Sequence, residues 1–176
     1  MRGAAQPTKG LKPMFATLDA LLNRLATLAL WLSAIGLVGM TLSVGWMVFG
    51  RYILNDTPTW VEPVAIQLMG WFILLGAAVG VREGGHLGFD VLRVIVPRPV
   101  ALTMEAVSHL AVLGFGAGMA WYGMLLVRGT WTATLPVLGW PGGFDYMPLV
   151  AGGVLVSLFA LRNLAGLGRD APEQPQ

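Results

Sequence analysis

The two histidines, His86 and His109, are the whole imidazole inventory of the chain, so they are the first residues to test for chemistry. A bis-histidine haem needs both rings at similar depth on facing helices. His86 falls in a loop between two apolar runs and His109 near the start of the next run, which makes them polar anchors of helix ends rather than axial ligands. Cysteine is absent, which excludes a disulfide framework, a thiolate metal site and a cysteine nucleophile. Neither an H-E-x-x-H zinc motif nor a nucleophile elbow is present, and Gly84 with Gly85 reads as a tight turn rather than a phosphate cradle. No catalytic residue, metal site or cofactor is therefore expected, and the chain does not read as an enzyme.

Stepping outward from those residues, the elements that carry them are apolar and long. Of 176 residues, 56% are hydrophobic and 11% charged, against about 25% charged in a soluble domain. The run 25–49 holds no charged residue and is long enough for the roughly 30 Å hydrocarbon core with some tilt. It also far exceeds the roughly 7–15 residues of a signal-peptide core, so it reads as an uncleaved first span. Three further runs follow, giving spans at about 25–50, 60–81, 104–127 and 146–164. The last is the shortest, with Pro148 suited to its first turn, Asp145 placed to cap it and Arg162 placed to snorkel toward headgroups. The fold class is all-α integral membrane, with a cytoplasmic or interfacial segment 1–24, a four-helix domain 25–165 and a cytoplasmic tail 166–176.

The net charge of +2 is spread thinly and collects at the ends of the runs, so it reports topology and not nucleic acid. Arg2, Lys9, Lys12 and Arg24 precede span one; Arg82, Arg93 and Arg98 separate spans two and three; Arg162 and Arg169 follow span four. Only Arg51 and Arg128 lie on the other side, which predicts both termini inside, as an even number of spans requires. Trp46, Tyr52, Trp60, Trp131, Trp140 and Tyr146 then form an outer aromatic belt.

Between the runs, the outer stretch 129–144 lacks charge but contains Pro136, Pro141 and several glycines, which predicts a structured loop. In the inner loop, Phe89, Leu92, Ile95 and Val96 share one helical face, predicting a short interfacial helix that ends at Pro97. Phe15, Leu18, Leu22 and Leu25 give the N-terminal lead-in the same amphipathic pattern along the interface. Gly76-x-x-x-Gly80 and Gly114-x-x-x-Gly118 have the spacing of close helix contacts. No charged residue lies deep in a span and no half repeats the other, so the chain by itself is not expected to carry a solute.

One set of residues is familiar in combination. Span one ends in R-Y-x-x-N (Arg51, Tyr52, Asn55), Trp60 and Glu62 open span two, and span two ends in V-R-E-G-G-H-L-G-F-D with Arg82, Gly85, His86 and Asp90. Leu135, Leu138, Pro141, Tyr146 and Pro148 precede or open the last span. The whole resembles the small membrane subunit, DctQ type, of tripartite ATP-independent periplasmic (TRAP) transporters. One departure is Pro63, where the family often has a second acidic residue after the one matched by Glu62.

The resemblance implies a multi-pass protein of the bacterial inner membrane that scaffolds a larger membrane subunit holding the sodium and substrate sites. A periplasmic binding protein would deliver the solute, usually an organic acid. Arg51, Trp60 and Glu62 would then sit at an outer corner, open to the binding protein or paired with one another. Arg82, His86 and Asp90 would fix the inner turn against the large subunit or lipid headgroups. A membrane-anchor subunit of an electron-transfer complex is the alternative from another class, and a stand-alone small transporter a third.

Overall fold

The computed structural model describes residues 11–83 and 97–167. Within them lie four long helices: α1 (Leu11–Phe49), α2 (Val61–Glu83), α3 (Arg98–Thr130) and α4 (Met147–Gly166). A π-helical turn, Gly50–Leu54, prolongs α1, and a 3-10 turn, Gly142–Tyr146, leads into α4. All four helices are long and apolar enough to cross a membrane. The chain is thus an all-helical, multi-pass membrane protein, as its apolar runs predict.

The N-terminal lead-in differs from its expected course. α1 runs on unbroken from residue 11 instead of turning at the interface. After Pro13, which the first helical turn tolerates, no proline interrupts it, and the isolated glycines do not stop a helix that packing supports. Packing supports the continuous helix: Leu22, Ala26 and Ala29 form one helical stripe and are buried against α2 and α4. The predicted interfacial helix after span two, with His86 and Asp90, lies outside the described residues, as do residues 1–10 and 168–176.

The helices pack as an open row. α1 lies against α2, α2 against α4, and α4 against α3, while α1 with α3 and α2 with α3 make no extended contact. α4 sits between neighbours, so 33% of its most apolar stretch is covered by the chain, against 17% for α1 and α3. Small residues let α4 serve both sides. A Cβ on Gly152 would lie 2.8 Å from the Leu74 Cβ, and one on Gly153 would lie 2.6 Å from the Ala120 backbone nitrogen. On α3 the matching positions are Gly116 and Gly123, against Ser157 and Val150. The expected pair Gly114 and Gly118 has open space at both positions, and of Gly76 and Gly80 only Gly76 has a neighbour, Ser33 of α1. Close approach thus uses other glycines than the spacing motif singles out, because the face toward α4 is set by the register of the pair.

Candidate functional site

At the α1–α2 corner the R-Y-x-x-N motif has a concrete geometry. Widening the helix into a π turn leaves Asn55 in the left-handed region, φ 52° and ψ 28°, a conformation asparagine tolerates better than most residues. The Asp56 backbone N–H donates back to the Gly50 carbonyl at 3.0 Å and closes the turn. Gly50 must be small, since a Cβ there would meet the Asp56 carbonyl oxygen at 2.8 Å and the Pro58 ring at 3.1 Å. Such π turns are often found at functional sites.

That turn displays its side chains outward. Arg51 is exposed, Tyr52 is 76% exposed and Ile53 and Leu54 stand out beside it. Trp60 and Glu62, at the start of α2, are exposed as well, while Val61 between them is fully buried and fixes the strand of chain to the bundle. The corner therefore gathers Arg51, Trp60 and Glu62 on one short connection, but Arg51 and Glu62 form no ion pair with each other. Their charges stay available to something outside the chain.

The opposite end of the bundle, where α2 and α4 finish, is tied together by side chains that pattern reading did not pair. Arg162 of α4 donates from Nε to Asp19 Oδ1 of α1 at 2.8 Å, so it is held in an ion pair instead of snorkelling to headgroups. Arg82, at the last turn of α2, donates to Asn23 Oδ1 at 2.5 Å, and Asn163 Nδ2 donates to the Val81 carbonyl at 3.1 Å. Three helices are thereby cross-linked at one level. Glu105 and His109, four residues apart on α3, are both buried; their spacing puts them on one helical face. Sequence reading does not single out Glu105, two residues inside the expected start of span three; the helix begins at Arg98 and buries it. Among the described residues no group of His, Asp and Glu could hold a metal ion.

The other outer connection is ordered too. Thr134 and Pro141 form an isolated antiparallel bridge, and Trp131 stacks on Phe144 with ring centroids 5.9 Å apart. Gln67 Nε2 of α2 donates to the Phe144 carbonyl at 2.8 Å. Pro148 stands in the first turn of α4 as expected, buried against Gly70. Asp145 does not cap that helix: it lies exposed in the preceding 3-10 turn, and the cap residue Tyr146 makes no side-chain hydrogen bond.

The profile of the tripartite ATP-independent periplasmic transporters, DctQ component, matches residues 40–169, and the chain belongs to that family of transporter subunits. It is 37% identical over 91 residues to the C4-dicarboxylate TRAP transporter small permease protein DctQ of Pseudomonas aeruginosa, covering 51% of this chain and 40% of that protein. The protein of the same description in Vibrio cholerae is 30% identical over 99 residues, covering 56% and 40% of the two chains. The one in Rhodobacter capsulatus is 29% identical over 120 residues, covering 62% and 49%. The matched region thus spans less than half the length of these relatives. The family sets aside the electron-transfer alternative.

Proposed function

We propose that this chain is the static small subunit of a TRAP transporter in a bacterial inner membrane, with both termini on the cytoplasmic side. Its partner is a larger membrane subunit that holds the sodium and substrate sites, and a periplasmic binding protein supplies the solute. The observation that carries this reading is the open row of helices. At most a third of the residues in the most apolar stretch of any span are buried inside the chain, and the buried polar side chains among the described residues, Glu105 and His109, both lie in the first half of α3 and not at its middle. Such a slab has ample face for a neighbour and no route for a solute. That the relatives are named for C4-dicarboxylates supports a small organic acid as the solute class.

On this reading the exposed Arg51, Trp60 and Glu62 contact the docked binding protein. Arg82, with His86 and Asp90, sets the inner turn against the large subunit or lipid. The test is uptake of a C4-dicarboxylate into proteoliposomes under a sodium gradient, with binding protein and large subunit, with and without this chain. Uptake is expected only when all three proteins are present. Uptake by this chain alone would overturn the scaffold role.

A further inference from the structure

The two connections at the outer end of the bundle have opposite chemistry. The α1–α2 corner exposes Arg51, Asp56 and Glu62, a surface suited to water or a charged partner. The α3–α4 connection, residues 131–146, carries one charged residue, Asp145 beside the start of α4, and its stretch 131–144 exposes Val137, Trp140, Trp131 and Phe144 without a charge. We infer that this second connection is seated in the lipid leaflet at that end of the bundle, as an ordered apolar wedge, and is not an aqueous loop.

Backbone geometry points the same way as composition. Non-helical chain at membrane depth must satisfy its own polar groups, because no water is there to do so. Five amides are met within this region, Ala133 to Thr130, Leu135 to Trp140, Gly139 to Leu135, Gly142 to Ala133 and Phe144 to Pro141, while those of Thr134, Val137, Leu138 and Trp140 are left to headgroups and interfacial water, which suits a loop at headgroup depth. Pro136 and Pro141 have no amide hydrogen to satisfy. Gly139, at φ 68°, supplies the left-handed residue that brings Trp140 back toward Leu135. The rings of Trp131 and Trp140 both lie against Phe144, at 5.9 and 6.1 Å between centroids, giving the wedge the amphipathic aromatic base that the headgroup region favours. Exposed Trp121, Tyr122, Leu125 and Leu126 on the last turns of α3 lead toward it, with exposed Arg128 between them and the loop. Lipid is favoured over a protein partner because residues 131–144 offer no charged group for docking, with single charges, Arg128 and Asp145, only at their flanks, whereas the α1–α2 corner offers three.

The chain has no native cysteine, so single labels report depth directly. Val137→Cys and, as the aqueous reference, Asp56→Cys are each tagged with an environment-sensitive fluorophore and reconstituted as the full chain into phosphatidylcholine vesicles. The label at position 137 is expected to emit at shorter wavelength, to be quenched by spin-labelled lipid, and to be quenched by iodide several-fold less than the label at position 56. Equal iodide quenching at the two positions overturns the proposal. So does shielding of position 137 that appears only when the large subunit or the binding protein is added, since a protein and not lipid would then cover the loop. Trp140→Cys, on the other limb of the loop, gives the same readout if Val137→Cys fails to fold.

Discussion

At the scale of single residues, the motif that ends span one is best understood through two backbone positions, Gly50 and Asn55. Replacing Asn55 by Val forces a β-branched residue into the left-handed region and is expected to cost about 1–2 kcal/mol, whereas Asn55→Gly is expected to leave stability near that of the wild type. Thermal unfolding in a mild detergent distinguishes the two. Gly50→Ala drives a methyl group into the Asp56 carbonyl and should cost about 2 kcal/mol in the same assay. The ion pair of Asp19 with Arg162 is worth less, because both side chains keep more than a third of their exposure. A double-mutant cycle with Asp19→Ala and Arg162→Ala is expected to give a coupling of about 0.5 kcal/mol. The corner motif was legible as a pattern, since arginine, tyrosine and asparagine stand at fixed spacing. The pairings at the other end were not: Asp19 and Arg162 are 143 positions apart, and their meeting depends on how α1 and α4 both pack against α2, which no local pattern encodes.

At the scale of elements, the positions of the helices follow from apolar runs, but their contacts do not. Four helices are long and apolar enough to cross a membrane, as the apolar runs predict, because length and hydropathy alone decide whether a segment can cross the bilayer. The choice of contact glycines needed the register between α3 and α4, and with four helices hydrophobic on nearly every side there is no amphipathic stripe to reveal it. Gly153 carries the tightest approach, so Gly153→Leu is expected to separate α3 from α4 and to lower the melting temperature, while Gly118→Leu, facing open space, should change it little. Phe159 is fully buried where α1, α2 and α4 meet. Truncating it to Ala is expected to cost about 3 kcal/mol, near the low end for such a change because lipid already solvates apolar groups in the separated state.

At the scale of the whole molecule, the arrangement of charges predicts sidedness. With both termini inside, Asp56→Cys is reached by a membrane-impermeant maleimide added to intact spheroplasts, and Glu83→Cys reacts only after permeabilisation. The reverse pattern would invert the bundle and place the exposed Arg51, Trp60 and Glu62 corner away from any periplasmic partner. The four-helix count and family resemblance were readable from the sequence, whereas the openness of the row was not, since composition says how much apolar surface exists and not how little of it the chain buries in itself. That openness bears on the life of the protein in the cell. On the proposed assembly, a newly made copy that has not met the larger subunit displays apolar surface along most of its length, and its steady-state abundance is expected to follow that subunit's: pulse-chase labelling in a strain lacking the proposed partner should show the chain made at the normal rate and lost several-fold faster.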